Sequence, residues 1–375
     1  MSNDKEKCIT KEFEVITPIF SYGANNSDSA DPEIRPASIK GMMRYMFRIA
    51  TLESDKLFEL ESKIFGDATN KASPIRLAVV TKPKIDSKPR QFLLHKYKGK
   101  KKSIPPETHF TLRMSLRQKH LQDLKCLEKL EKKKQSQVLD EEEEKDFKRL
   151  KEENLKSLNW YQTLIKLSFI LVGLGQRSRK GRGRGCSKNY DTEESLKNDI
   201  LKQLTEISGK GVYDFENINS KKMIIFKGNS DVKRPIIEKI VFGETKEKGW
   251  EDFLRKLDWA SHDIKDEGNE RKNAVKSPIL KEDKNQFNRE SWGQRRKFHA
   301  TGNSSPRFAS SIIVGCAQIG EKILPIYTYV RPVLSVKETI RDRNGEKKEK
   351  THLCRLDSSN ELAFFIANFE RRWNS

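Results

Sequence analysis

No two of the five cysteines (Cys8, Cys126, Cys186, Cys316 and Cys354) stand close together. That scatter excludes the paired spacing of a zinc site and the framework of a small secreted disulfide protein, leaving reduced, structural thiols as the expectation. Long apolar runs are missing too. The most apolar helical stretch, residues 164–172, is interrupted by Lys166 and is far too short to cross a bilayer. No apolar run follows the charges of residues 1–8, so no signal peptide is expected and a cytoplasmic address is the default. Hydrophobic residues make up only 35% of the 375 positions while 34% are charged, which implies cores accompanied by stretches that stay in water.

What is abundant is positive charge. Lys and Arg number 75 against 54 Asp and Glu, a formal net charge of +21. Such an excess repels itself in the folded state and is most easily tolerated beside a polyanion: nucleic acid, an anionic membrane surface or an acidic protein. A Lys-rich protein with no special partner is the alternative that composition leaves open. The length suits two domains of ordinary size.

Residues 11–20 alternate apolar and polar and predict a strand with Pro18 near its end. An Asn-, Ser- and Asp-rich loop follows. A helix is predicted from Ser38, a good N-cap directly after Arg35-Pro36, with Ile39, Met42, Met43, Met46 and Ile49 on its apolar face. Lys40, Arg44 and Arg48 recur every four residues on another face, either a solvated stripe or a phosphate-binding one. Residues 57–66 end in a Phe-Gly turn, and residues 75–81 and 110–116 predict strands. From about 117 to 157 the pattern is that of a Lys- and Glu-rich helical hairpin. Its second arm is opened by a capping box at Asp140 and Glu143, and the helix dipole explains the acids at 140–144 more simply than a metal does. The hairpin is either a contact arm for RNA or a neighbour, or a solvated insertion.

Residues 160–172 predict an apolar helix closed by Gly173. Beyond residue 191 come a helix at 196–207, a strand at 222–227, an apolar segment at 232–243 and a helix at 250–259. A polar, partly disordered stretch covers 261–301, before strands at 308–315 and 324–330 and a closing helix at 361–373. The order strand, helix, strand, strand, helix thus occurs twice. It predicts an α+β fold of two tandem ferredoxin-like (RRM-like) domains, residues 1–192 with the helical insertion and residues 193–375.

The most informative stretch is residues 173–185, GLGQRSRKGRGRG. Gly173, Gly175, Gly181, Gly183 and Gly185 permit positive φ and close backbone approach, so that main-chain N–H groups can face an anion. Arg177, Arg179, Lys180, Arg182 and Arg184 between them suit a phosphate backbone. Neither the spacing nor the preceding helix fits a nucleotide P-loop. A disordered RG-rich tail rarely sits mid-chain behind a well-formed helix. A structured loop for an RNA backbone fits both the position and the chemistry.

The helix followed by G-L-G-x-R-S-R-K-G-x-G resembles the glycine-rich loop of RAMP proteins. Thr17-Pro18-Ile19-Phe20 and then residues 33–44 (EIRPASIKGMMR) narrow the resemblance to the RAMP family that supplies the first subunit of type III-B CRISPR effector modules. Ile64-Phe65-Gly66 followed by Ser73-Pro74 fits the same pattern. The match is strong from about residue 13 to 185 and thinner beyond, where Ser305-Pro306 is the best anchor. Three places depart from the family: Tyr22 replaces a second glycine, Arg182 replaces an aromatic, and Tyr45-Met46-Phe47 stands where the first helix usually ends Trp-rich. They add a cation and remove aromatics on which bases would stack.

The resemblance implies a non-catalytic RNA-binding subunit that caps the complex at the 3′ end of the guide RNA and helps capture target RNA for antiviral defence. Its partners would be guide RNA, target RNA and the other subunits of the effector complex, with no cofactor, metal, membrane or small-molecule substrate. It also implies that Arg35, Ser38, Lys40 and Arg44 line an RNA-facing cleft together with the arginines of the loop.

The rival function is a metal-independent RAMP endoribonuclease using a histidine acid/base. Of the six histidines, His109 begins a strand, His120 lies in the insertion, and His95 and His299 stand beside cations. General acid–base work needs a partner within hydrogen-bond reach. Surface or structural roles are the expectation for these and for His262 and His352.

Overall fold

The computed structural model describes residues 8–23, 30–52, 56–69, 71–81, 90–91, 100–187, 189–218, 221–228, 234–247, 249–266, 269–272, 312–331, 333–341, 347–355 and 359–374. Its first half runs β1 (Cys8–Val15), α1 (Pro36–Ala50), α2 (Leu57–Phe65), β2 (Ile75–Thr81), β3 (Arg90–Gln91), β4 (Lys100–Lys101) and β5 (His109–Leu116). Then come α3 (Gln118–Ser136), α4 (Glu141–Glu152), α5 (Leu158–Leu171) and β6 (Gly185–Cys186). One antiparallel sheet takes the order β2-β5-β1-β6. With α1 after its first strand and α5 before its last, this is the βαββαβ arrangement of a ferredoxin-like domain. Period-two patterning makes β5: Phe110, Leu112, Met114 and Leu116 are buried and the residues between them are not. On that face Phe169 of α5 meets Phe13 and Phe110, with ring centroids 5.1 and 5.9 Å away.

The second half runs α6 (Glu193–Ser208), β7 (Tyr213–Ile218), β8 (Lys221–Phe226), β9 (Ile237–Phe242), α7 (Trp250–His262), β10 (Asp263–Asp266) and β11 (Asn269–Lys272). It continues with β12 (Ile312–Ile319), β13 (Lys322–Val330), β14 (Val333–Arg341), β15 (Lys347–Arg355) and α8 (Ser359–Asn374). Its sheet has the order β12-β13-β9-β8-β7. Counted from β9, the succession β9, α7, β12, β13, α8 is again ferredoxin-like. The place of the final strand, beside β9, is held by β8, which comes earlier in the chain. The second domain is therefore a circular permutant of the first: a hairpin neighbour of the opening strand fills the same antiparallel slot that a closing strand would. Both faces of this sheet are covered, so β12 is an almost unbroken buried run rather than an alternating one. Phe253 of α7 and Phe369 and Trp373 of α8 pack edge-to-face on one side. Ile224, Ile240, Ile313 and Ile326 join the core shared with α5 and α6 on the other.

Several sequence expectations are corrected. Helix α1 starts at Pro36 and not at Ser38, because proline at the first helical position sets φ and gives up no needed N–H; Arg35 precedes it without a side-chain cap. Strand β7 was hidden because it is an edge strand with little burial contrast. The β14–β15 hairpin, paired from Val333–Arg355 to Arg341–Lys347, was not anticipated. Most of the polar stretch at 261–301 lies outside the described residues.

The charged insertion is the expected helical hairpin. Asp140 and Glu143 form the capping box, and Lys133 and Lys134 of one arm meet Glu143 and Glu144 of the other. Within its two helices, only Leu130 and Leu150 are buried, so paired surface charges, each worth little, clothe a narrow apolar seam. Among the described residues no helix is long and apolar enough to cross a membrane. Cys8, Cys126, Cys186 and Cys316 are free thiols.

Candidate nucleic-acid interface

Helix α5 is opened by the Ser157 hydroxyl, which accepts from the N–H of Trp160, and the chain leaves it at Gly173 with φ +77°. The loop then doubles back on itself. A Cβ on Gly183 would fall 1.9 Å from the carbonyl oxygen of Leu174, so only glycine lets the two passes cross. The segment Thr17–Phe20 clamps this crossing. Gln176 N–H donates to the Phe20 carbonyl at 2.7 Å and Gly183 N–H to that of Pro18 at 3.0 Å. The Thr17 hydroxyl donates to Gly181 O at 2.8 Å and accepts from the N–H of Arg184 at 3.0 Å. Two motifs far apart in the sequence are thus one structural unit. They also correct an expectation: these main-chain N–H groups are donated to protein carbonyls and the Thr17 hydroxyl and not presented to an anion.

The cations of the loop divide. Arg182 is 1% exposed and grips Asp258 of α7, fully buried, through two hydrogen bonds of 3.1 and 2.5 Å. Arg184 is also enclosed and donates to the carbonyls of Ile170, Ser178 and Val314 at 2.8–3.0 Å. Burial pushes its guanidinium down to about 10, still protonated at neutral pH. Lys180 is buried, and a parallel bridge ties it to Val314 of β12. Gly181 rests against Phe253, Leu254 and Leu257 of α7. The expectation that Lys180, Arg182 and Arg184 offer their charge to RNA is therefore corrected: they fasten the loop to the second domain.

Arg177 and Arg179 stay half-buried on the outer pass. The Arg179 guanidinium lies 5.1 Å from the centre of the Tyr45 ring and donates to its hydroxyl at 2.7 Å. Here a groove of about 280 Å³ opens between α1 and the loop, lined by Ser38, Met42, Tyr45, Val172, Gly173, Leu174, Gly175, Ser178 and Arg179. Gly41 lies one helical turn from both Ser38 and Tyr45. It is exposed, and a Cβ there would meet nothing within 4 Å. The helix backbone is bare there, one turn from two of the residues that line the groove.

The sequence model of the RAMP superfamily matches residues 12–187, the span that holds the first sheet, the groove and the whole glycine-rich loop. Residues 12–187 are thus similar to the RAMP superfamily. Over 66 residues the chain is 41% identical to the CRISPR system Cmr subunit Cmr1-2 of Pyrococcus furiosus, a match covering 16% of this chain and 34% of that protein. The chain thus spans about a third of the length of this curated relative. A crystal structure of Cmr1 from Pyrococcus furiosus in its apo form overlays with a TM-score of 0.47 at 16% identity, covering 96% of each chain.

Within this span, Ser38, Gly173, Gly175 and Arg179 come together at the groove as the sequence suggested, whereas the basic stripe of α1 does not join them. Arg44 and Arg48 both turn to Glu61 of α2, which is 3% exposed. Arg44 also donates to the carbonyls of Phe65 and Gly66. Lys40 donates to Ser73 Oγ at 2.9 Å, and burial with the nearby Arg44 and Arg117 lowers its pKa. Arg35 pairs with Glu33 at 3.5 Å ahead of the helix. Met42, Tyr45 and Ser178 are groove residues that sequence reasoning passed over; Tyr45 lies seven residues from Ser38, on one face of α1, and that spacing was the available signal.

Two histidine side chains are described. His109 stands 3.6 Å from Glu12 on the solvent side of the first sheet, and the His120 ring lies 3.0 Å from the Lys156 carbonyl. His95 and His299 fall outside the described residues, as do the side chains of His262 and His352.

Proposed function

We propose that the chain is a non-catalytic, RNA-binding subunit of a type III-B CRISPR ribonucleoprotein, acting in the cytoplasm beside sibling subunits. In this reading it caps the 3′ end of the guide RNA and helps capture target RNA. The proposed units are residues 1–192, which carry the groove, and residues 193–375, whose β12 and α7 brace the loop. The observation that carries the proposal is the groove itself. A hydroxyl of α1 and an arginine fixed on Tyr45 converge there, with a bare stretch of helix backbone at Gly41 one turn away, in a chain of net charge +21. Such contacts hold a ribose–phosphate chain without reading its bases, so sequence recognition falls to pairing between guide and target.

Gly41→Leu tests this directly. A side chain at an exposed, open helix position removes the backbone-entropy cost of glycine, so the fold is expected to be as stable or slightly more so. The same side chain stands in the proposed path of the RNA, one turn from Ser38 and Tyr45, so affinity for single-stranded RNA is expected to fall by about tenfold or more, the scale of one lost backbone contact at moderate salt. Unchanged RNA binding in a fully folded Gly41→Leu protein would remove the groove from the RNA path. Cleavage of labelled guide RNA by the purified protein, abolished by a single histidine substitution, would instead favour the endoribonuclease reading.

A further inference from the structure

We propose that Phe58, flanked by Arg48, is a stacking site for one unpaired base of the bound RNA. This inference rests on the RNA-binding reading given above and extends it from backbone to base.

Helix α2 buries Leu57, Glu61, Ile64 and Phe65 along one stripe. Phe58 lies off that stripe and is 75% exposed, the one exposed aromatic among the described residues. A single exposed apolar side chain is ordinary, so exposure by itself says little. What distinguishes Phe58 is its neighbour. The Arg48 guanidinium sits 5.7 Å from the ring centre. It is held there by the buried carboxylate of Glu61, which accepts from Arg48 Nη2 at 2.8 Å and from Nε. A second guanidinium, that of Arg234, donates to the carbonyls of Arg48 and Thr51 at the same helix end. Lys56, two residues before Phe58, is exposed.

The position also fits. Arg48 is one turn beyond Tyr45 on α1, and Gly41 lies two turns before it on the same outward side. A single strand that leaves the groove over Gly41 therefore meets Phe58 next. There it finds a π surface for a base, braced by the Arg48 guanidinium and with the exposed Lys56 nearby for an adjoining phosphate, the combination that sequence-tolerant single-strand binders use.

The test uses the full chain with a single-stranded RNA and a second strand of identical backbone carrying abasic sites. Phe58→Ala is expected to bind the intact RNA about tenfold more weakly. Phe58→Trp is expected to bind it like the parent, and on abasic RNA the parent and Phe58→Ala are expected to be equal. Equal loss on intact and abasic RNA would overturn the inference, because Phe58 would then act through the placement of Arg48. Unchanged RNA affinity in Phe58→Ala, with Gly41→Leu still weakened, would overturn the stacking site and leave the groove standing. If neither variant binds more weakly, both readings fail. Loss of co-purifying sibling subunits with intact RNA binding would make Phe58 a protein contact and overturn the inference as well.

Discussion

Residues 173–179 and residues 180–185 are built from the same glycines and cations, yet they meet different surroundings. The outer pass sits at a groove, with Arg179 resting on the half-buried Tyr45. The inner pass is sealed between the first domain and the second, where Arg182 closes on Asp258 and Arg184 fills three carbonyls. Composition gives both passes the character of a phosphate cradle. What separates them is the partner each guanidinium finds: a buried carboxylate and main-chain oxygens in one case, an aromatic hydroxyl at a surface in the other. An arginine enclosed by buried oxygens stiffens the loop, and one resting on a half-buried tyrosine stays at the surface of a groove.

The largest effect should come from breaking the inner pass. Arg182→Met leaves Asp258 charged and without its partner in the interior, and is expected to cost about 3–5 kcal/mol of folding stability. Replacing both partners, Arg182→Met with Asp258→Leu, should recover most of that loss. Chemical denaturation of the three proteins checks the pattern; a single variant as stable as the double would mean that the pair does not lock the domains. Next comes the outer pass. Arg179→Ala is expected to change stability by less than about 1 kcal/mol, since Arg179 is half-buried and its cation–π contact and hydrogen bond to Tyr45 lie at the edge of the fold. It should nevertheless weaken RNA binding and lower the slope of log K against log salt by about 0.7. If Arg179→Ala unfolds the protein and Arg182→Met spares it, the division drawn here is reversed.

The smallest effect concerns the basic stripe of α1, which the structure assigns to folding. Burial works against the charge of Glu61, but hydrogen bonds from Arg48 and Arg44 outweigh it and hold its pKa below the ordinary value of 4.5. A carboxyl depressed in the native state stabilises the fold above its unfolded value, and that contribution is lost as pH falls through the native one. Glu61→Gln should therefore be less stable near neutrality and show a flatter loss of stability below pH 4.5 in acid denaturation. An acid limb parallel to that of the parent would detach Glu61 from the stability of the helix pair.

Much of the fold was legible. Period-two runs announced β2 and β5, apolar periodicity announced α5, and the capping box at Asp140 announced α4. The start of α1 was misplaced because Ser38 has the chemistry of a cap while Pro36 has the geometry of a first turn, and geometry won. The permutation of the second domain was not legible, since β8 precedes β9 in the chain and only pairing shows that it occupies the closing position. At the candidate site, the glycines, Ser38 and Arg179 were named from the sequence, and the burial of Lys180, Arg182 and Arg184 was not. A clue existed in α7, where Asp258 falls on the same stripe as Phe253, Leu254 and Leu257, an acid on an apolar face waiting for a cation.

The sequence by itself determined the net charge, the βαββ pattern, the turn-forming glycines and the presence of cations among them, because each of these is a property of neighbouring residues. Tertiary structure alone decided which of those cations remain at a groove. That choice depends on side chains tens to more than a hundred positions away, Tyr45, Asp258 and Val314, and a buried charge settles wherever such a distant partner compensates for the water it has lost.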